Sequence, residues 1–201
     1  MKKILFALFG ITAFAGISFT TGDPLPIGAA MPLAEAKLIN IDGNTVTMKE
    51  TVKKNGVLVM FSCNTCPFVI KNQQRTIEIC DYAQKMDMGV IILNSNESLR
   101  NGDDSFEAMK TYYKAQKYNW AYAVDKNSEI ADAFGANRTP ECYLFDNTTK
   151  LVYHGAIDNN ANDPENVTRH HLKEAIDELI AGKEVSVKES RSVGCTIKRK
   201  G

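Results

Sequence analysis

Two cysteines stand three positions apart in the stretch "FSCNTCPF", with a proline directly after the second. Cys63 and Cys66 can exchange electrons with disulfides, supply half of a zinc site or simply pack. Redox chemistry needs a thiolate, so one of the two must lie where its pKa is lowered. The N-terminus of a helix is such a place, because its free N–H groups and its dipole favour negative charge.

Pro67 indicates that a helix begins there, because proline is favoured at the first helical position and its missing N–H costs nothing. Cys66 then falls at the N-cap, and Cys63 lies about one turn earlier in the loop, close enough for a disulfide. The apolar run "VLVMF" directly upstream predicts a strand buried on both faces. The two thiols are therefore expected at the junction where a buried strand ends and a helix begins.

The rest of the chain alternates strand-like and helix-like segments, which predicts an α/β sandwich around one central sheet. Apolar residues at Ile70, Ile77 and Cys80 predict a single helix over residues 67–85 with one buried stripe. "DDSFEAMKTYYKAQ" predicts a helix behind acidic N-terminal residues. A last helix is expected to begin at Pro164.

Length and charge exclude several function classes. The chain has 201 residues, about one domain, and it carries 24 basic and 24 acidic residues. No net field draws it to nucleic acid or to an anionic membrane, and the basic run Lys198–Lys200 is too short to change that.

The N-terminus has the pattern of a secretory signal peptide over residues 1–20. Lys2 and Lys3 precede an apolar run, which ends near the small-x-small motif at Ala13 and Ala15. We expect export to the periplasm or another extracytoplasmic compartment of a bacterium, without stable membrane insertion after cleavage. Disulfides persist in such a compartment. Residues 21–31, rich in Gly and Pro, are expected to form a linker.

Three further cysteines bring the total to five, so at least one thiol has no partner within the chain. Cys80 is expected in the core, about 21 Å along the helix from Cys66. Cys142, in the predicted strand "ECYLFD", is expected to pack in the core, with a supporting redox role as the alternative. Cys195, in a polar tail over residues 185–201, has three open interpretations: a third redox thiol, a structural disulfide such as one with Cys142, or an unpaired thiol.

The strand "VLVMF", the Cys-x-x-Cys-Pro at a helix start and the later "RTPECYLFD" together resemble the thioredoxin fold. The sequence is similar in particular to exported thioredoxin-like proteins of the AhpC/TSA (redoxin) type, in the segments "LINIDGNTVTMKE", "CNTCPFV", "VYHGAIDNN" and "GCTIK". The resemblance spans residues 24–198. It implies a central mixed β-sheet flanked by helices, with an N-terminal β-hairpin extension.

The resemblance also implies that Thr139 and Pro140 form a substrate-binding loop with a cis peptide bond, placed against the active cysteines. Arg138, next to this loop, is a candidate for favouring a nearby thiolate, with a solvated rim position as the alternative. Met60 departs from the family, because thioredoxins carry a buried acid at that position.

A second departure concerns the order of the two cysteines. In the thioredoxin register Cys66 matches the attacking cysteine, and Cys63 lies upstream of it. We therefore hypothesise that Cys66 attacks and Cys63 resolves, with the reverse order as the alternative. The peroxiredoxin pattern Pro-x-x-x-Thr-x-x-Cys fails, since Cys63 takes the threonine position and Val59 the proline position. Disulfide exchange is expected ahead of peroxidase activity.

These observations predict one redoxin-type domain over residues 24–184, between the signal segment and the tail. Its expected activity is thiol–disulfide exchange with protein or small-molecule substrates, supported by an unidentified redox partner and without an organic cofactor or a metal. His170 and His171 are helix neighbours that point apart, so they do not complete a zinc site. The alternatives are a thiol peroxidase and a non-catalytic thioredoxin-like binding module with an inert disulfide.

Overall fold

The computed structural model of the chain describes residues 22–200, so the predicted signal segment lies outside the described residues. The strands are β1 (Leu38–Asn40), β2 (Thr45–Val46), β3 (Val57–Ser62), β4 (Gly89–Asn94), β5 (Ala121–Val124), β6 (Arg138–Thr139), β7 (Glu141–Phe145), β8 (Leu151–Gly155) and β9 (Cys195–Thr196). The α-helices are α1 (Met48–Thr51), α2 (Pro67–Lys71), α3 (Gln73–Lys85), α4 (Phe106–Gln116), α5 (Glu129–Phe134) and α6 (His171–Ile180).

Seven strands form one mixed sheet in the order β2-β1-β5-β4-β3-β7-β8, and β6 pairs with β9 beside it. The central strands β3, β4 and β5 run parallel, whereas β7 pairs antiparallel with β3 and β8 antiparallel with β7. β1 and β2 form the predicted N-terminal hairpin. The expected α/β fold, a mixed sheet between helices, is confirmed.

The central strand β3 is buried along its whole length, as its continuous apolar run predicts. Successive side chains of a strand point to opposite faces of the sheet. Leu58 and Met60 therefore pack in a core beneath α3 and α6. Val57 and Phe61 pack in a second core on the other face, with α1 and α5. The sheet thus carries a core on each face, and the C-terminal end of β3 is held rigidly from both sides.

The prediction of a single helix over residues 67–85 is wrong, because the helix is interrupted at Asn72 and divides into α2 and α3. The Asn72 side-chain amide donates to the carbonyls of Phe68 (2.7 Å) and Ala161 (3.3 Å). Asparagine side chains compete in this way with the helical hydrogen bonds. The bend turns Ile70 outward, where it is 57% exposed, so this residue does not belong to the buried stripe.

The last helix does not begin at Pro164. Pro164–Asn166 forms a separate 3-10 turn, and α6 starts at His171. The side-chain oxygen of Asn159 accepts from the backbone N–H groups of Thr168 and Arg169, both at 3.1 Å, and so holds the intervening segment out of the helix.

The loop after β8 is tied to α3 by a buried ion pair. Arg75 donates to the Asp158 carboxylate (2.6 Å) and to the backbone carbonyl of Asn160 (2.8 Å). Both side chains are largely buried. This contact gives Asp158 a structural role.

Two segments expected to be loosely attached are packed instead. Leu25 and Met31 are buried in the core beneath α5, so residues 22–31 are not a linker. The polar tail runs alongside β8, and the backbone N–H of His154 in this strand donates to the carbonyl of Lys188 (3.0 Å). The side chain of Ile197, further along the tail, is buried. None of the helices in the described range 22–200 is long and apolar enough to cross a membrane.

Candidate active site

Cys63 and Cys66 lie at the junction of β3 and α2. Pro67 is the first residue of α2 and Cys66 is its N-cap, as the sequence predicts. Cys63 follows the last residue of β3 and is 1% exposed, whereas Cys66 is 5% exposed. Both residues are therefore buried, and Cys63 is the more deeply buried of the two.

Thr139, the last residue of β6, contacts both thiols. The Cys66 thiol donates to its carbonyl oxygen at 3.3 Å, and the Cys63 sulfur lies 3.5 Å from its hydroxyl. The peptide bond between Thr139 and Pro140 is cis, as the resemblance implied. The predicted loop is thus in contact with the predicted cysteine pair.

The structure brings a third thiol, Cys195, to the same place. Cys195 packs against the cluster that Cys63, Cys66 and Val69 form, although it lies more than 120 residues further along the chain. It belongs to β9, which pairs antiparallel with β6 so that Cys195 stands opposite Thr139. Of the three interpretations open for Cys195, its position favours a thiol at the redox site.

The thiols of Cys63 and Cys66 differ in acidity. The pKa of Cys66 is lowered, first by a hydrogen bond with the Cys63 thiol and further by the Cys195 thiol and by the backbone N–H groups of Val69 and Cys195. Burial opposes this shift without reversing it. The pKa of Cys63 is raised, because its hydrogen bond with Cys66 retains the proton and because it is buried near the Asp104 carboxylate. Of the two, Cys66 is consequently the thiol that ionises more readily, and Cys63 is the one that retains its proton.

A buried carboxylate that the sequence does not reveal holds the loop between the two cysteines. Asp104 accepts from the backbone N–H of Asn64 (2.9 Å) and from the side-chain amides of Asn94 (2.7 Å) and Asn96 (2.9 Å). The Asn64 side-chain oxygen in turn accepts from the Tyr122 hydroxyl at 2.8 Å. The only local signal for Asp104 is an acidic pair before α4, which indicates a helix start and nothing more.

Met60, at the position of the missing family acid, is fully buried and lies opposite Cys142 in the β3–β7 pairing. Asp104 brings a buried carboxylate near Cys63 from a different loop. The site therefore contains an acidic group near Cys63, but this group comes from another part of the chain.

Cys142 and Cys80 lie together in the core beneath α3 and α6. Both are fully buried, and burial raises the pKa of each. Cys195 lies in a different cluster, with Cys63 and Cys66. The geometry therefore supports neither a disulfide between Cys142 and Cys195 nor a redox role for Cys142.

Arg138 is exposed and contributes through its backbone. It stands opposite Thr196 in the β6–β9 pairing, and its N–H donates to the buried Glu141 carboxylate at 2.9 Å. This arrangement fits the alternative of a rim residue. Across residues 22–200, no group of three or more His, Cys, Asp or Glu side chains is placed to hold a metal ion.

Solved structures share this fold. An uncharacterized conserved protein from Geobacillus kaustophilus is 33% identical, with a TM-score of 0.81, and the match covers 87% of this chain and 93% of that one. A hypothetical protein from Sinorhizobium meliloti is 28% identical, also with a TM-score of 0.81, over 89% and 97% of the two chains.

A more distant match is the thioredoxin domain of a thiol-disulfide oxidoreductase from Bacteroides vulgatus. It is 18% identical, with a TM-score of 0.55, over 66% of this chain and 89% of that domain, and this likeness shows the fold alone. A search of curated proteins finds no match. The Redoxin family model matches residues 22–172, a range that contains Cys63, Cys66 and the Thr139–Pro140 loop. With its thioredoxin-like fold and this match over most of its length, the chain belongs to the Redoxin family, which places it among the oxidoreductases in broad class.

Proposed function

We propose that this protein is an exported thiol–disulfide oxidoreductase in which Cys66 attacks the substrate and Cys63 resolves the mixed disulfide. The observation that carries the proposal is the position of both cysteines at the start of α2, with Thr139 of the cis-proline loop in contact with both sulfurs. The lowered pKa of Cys66 and the raised pKa of Cys63 support the order of attack. A thiolate ready to attack stands at the helix start, and its protonated partner lies behind it. The signal-like N-terminal sequence supports export.

The first step is attack of the Cys66 thiolate on one sulfur of a substrate disulfide. A mixed disulfide forms between Cys66 and one half of the substrate, and the other half leaves as a thiolate. Cys66 then carries no negative charge. The main cause that retained the proton on Cys63, its hydrogen bond with the Cys66 thiolate, is therefore removed.

The second step is attack by Cys63, which is activated only after the first step. Cys63 releases its proton, and the Thr139 hydroxyl favours the resulting thiolate. Attack on the Cys66 sulfur forms the Cys63–Cys66 disulfide and expels the second half of the substrate as a thiolate. The substrate disulfide has been reduced to two thiols and the protein dithiol oxidised, so electrons and protons balance. The reverse sequence oxidises a substrate dithiol.

Trapping with oxidised glutathione tests the order of attack. Cys195 is replaced by serine in both variants, so that only the predicted pair is compared. The variant C63S/C195S should accumulate a glutathione adduct on Cys66, detected by intact-mass spectrometry, because no neighbouring thiol remains to displace the glutathione. The variant C66S/C195S should form less adduct, because Cys63 is the more deeply buried of the two, and burial and the Asp104 carboxylate still raise its pKa when Cys66 is absent. An adduct that forms only on Cys63 would reverse the assignment.

The rate of hydrogen peroxide consumption distinguishes the proposed activity from that of a thiol peroxidase. The wild-type protein should consume peroxide no faster than a free thiol of similar acidity, while it exchanges disulfides with glutathione. Rapid peroxide consumption with slow disulfide exchange would replace the proposed activity. N-terminal sequencing of protein recovered from a periplasmic fraction tests export and cleavage.

A further inference from the structure

Two other thiols, those of Cys63 and Cys195, lie near Cys66, and the proposed function uses only the Cys63 thiol. Cys63 reaches it from the loop that precedes α2, and Cys195 from the strand β9 of the tail. Hydrogen bonds with both thiols favour the Cys66 thiolate. Cys63 is buried, but Cys195 is partly exposed, so Cys195 is the member of the trio that solvent reaches most readily.

The position of Cys195 is imposed by close backbone contact. A Cβ atom on residue 194 would lie 2.2 Å from the Thr139 carbonyl oxygen, so only glycine fits there. That carbonyl is also the oxygen that accepts from the Cys66 thiol. Gly194 thus lets the tail approach the oxygen that Cys66 contacts, and it places the next residue beside Cys66.

The tail is also anchored beyond Cys195. Ile197 is buried in the core beneath α5. The Lys198 N–H donates to the side-chain oxygen of Asn96 (2.8 Å), and the Ser98 N–H donates to the Lys198 carbonyl (2.9 Å). Asn96 is one of the residues that hold Asp104. The segment that carries Cys195 is therefore fixed to the same network as the loop between Cys63 and Cys66.

We propose that Cys195 is a second resolving cysteine, which forms a disulfide with Cys66 and carries redox equivalents between the buried Cys63–Cys66 pair and an external partner. This role rests on the proposed function, because it requires Cys66 to form the mixed disulfide. A thiol held against a reacting atom has a high effective concentration, which gives it the advantage over thiols in solution.

The chemistry balances without an additional reagent. After Cys66 has attacked a substrate disulfide, the Cys195 thiol loses its proton and attacks the Cys66 sulfur. The Cys66–Cys195 disulfide forms, and the remaining half of the substrate leaves as a thiolate. Attack by Cys63 on Cys66 then forms the Cys63–Cys66 disulfide and returns Cys195 to the thiol state. In the reverse direction, Cys195 attacks the Cys66 sulfur of the Cys63–Cys66 disulfide, which releases Cys63 as a thiol and forms the Cys66–Cys195 disulfide. An external dithiol can then reduce this more exposed disulfide.

The test compares the fate of the glutathione adduct in two full-length variants that both lack Cys63. After oxidised glutathione is removed, C63S should lose the adduct and gain a peptide containing the Cys66–Cys195 disulfide, detected by non-reducing peptide mapping. C63S/C195S should retain the adduct, with a lifetime at least about tenfold longer. The variant C63S/G194A keeps both thiols but disturbs the close contact with Thr139, so its adduct should persist longer than that of C63S. Circular dichroism verifies that all three variants are folded.

Equal adduct lifetimes in folded C63S and C63S/C195S would overturn the role of Cys195 and leave the proposed function intact. Failure of C63S/C195S to form any adduct would overturn both, because Cys66 would not be the attacking thiol. Loss of the adduct from C63S through a disulfide to Cys80 or Cys142 would also overturn the role of Cys195.

Discussion

Replacement of Asp104 by alanine should destabilise the protein strongly, although this residue touches neither sulfur through a hydrogen bond. The carboxylate is fully buried and accepts from the backbone of Asn64 and from the side chains of Asn94 and Asn96. D104A leaves these three donors without their acceptor. Each buried unsatisfied group costs about 1–3 kcal/mol. Because water can enter the space of the lost carboxylate, we expect a total loss of about 3–5 kcal/mol.

This loss is large against a typical stability of about 5–15 kcal/mol. For a protein of this length it corresponds to a fall in Tm of about 6–20 °C, since 1 kcal/mol shifts Tm by about 2–4 °C. Urea unfolding and thermal unfolding, both followed by circular dichroism, measure the two quantities. The matched control is D103N: the Asp103 side chain is exposed, and its backbone carbonyl, which accepts from Asn64 at 2.8 Å, is retained.

A second measurement separates the electrostatic effect of Asp104 from its structural effect. Its negative charge contributes to the raised pKa of Cys63. Loss of the charge in C66S/D104N should therefore lower the pKa of Cys63 and increase its alkylation by iodoacetamide, relative to C66S, at a pH near 8. A D104A protein with a Tm within 2 °C of D103N, or unchanged alkylation of Cys63 in folded C66S/D104N, would refute the reasoning.

Three further predictions concern other parts of the structure. G194A should cost about 1–3 kcal/mol through overpacking against Thr139 and should speed the labelling of Cys195 by maleimide; labelling at the wild-type rate would show that β9 tolerates the methyl group. D158A should lose about 3–5 kcal/mol in urea unfolding, because the Arg75 guanidinium stays buried without its partner, and a loss below 1 kcal/mol would contradict this. The lowered pKa of Cys66 predicts that its alkylation in the reduced wild-type protein, followed by peptide mass spectrometry, has a midpoint below the ordinary thiol value of about 8.5, and a midpoint at or above that value would contradict the assignment.

The same lowered pKa predicts how the stability of the reduced protein depends on pH. A group whose pKa is depressed by folding stabilises the folded state above its unfolded pKa, and this contribution is lost as pH falls through the folded pKa. Relative to C66S, the reduced wild-type protein should therefore gain stability as pH rises toward about 8.5. Above that value the raised pKa of Cys63 acts in the opposite direction, so stability should then decline. Urea unfolding under reducing conditions at several pH values measures the effect; a difference that does not change with pH would contradict it.

Local patterns sufficed for the strand-to-helix junction and for the general architecture. A strand whose side chains are apolar on both faces is buried on both faces of the sheet, as β3 is. Proline begins a helix because its ring suits the first helical position, and Pro67 does so in α2. These preferences act over a few residues, so the sequence alone placed Cys66 at the N-cap and the alternating elements around one sheet.

Local patterns failed where a distant group competes with a local preference. Apolar spacing favours one helix over residues 67–85, but Asn72 bonds the carbonyl of Ala161 and the helix breaks there. The tail has too few apolar residues to indicate a core segment, yet it is fixed by backbone pairing with β6 and by the burial of Ile197. Backbone hydrogen bonds leave no trace in side-chain composition, which is why this packing is invisible in the sequence.

The sequence by itself therefore determined which chemistry is available: a Cys-x-x-Cys-Pro at a helix start and a Thr-Pro further on. Only the tertiary structure decided which groups meet. It places Thr139 against both thiols, Asp104 beneath the loop that joins them, and Cys195 beside Cys66. These contacts join residues up to about 130 positions apart, and they depend on strand pairing and on burial of polar groups that must find partners. The acidity of each thiol consequently depends first on the hydrogen bond between the two cysteines of the motif, and then on burial, Asp104 and Cys195, which only the fold brings to them.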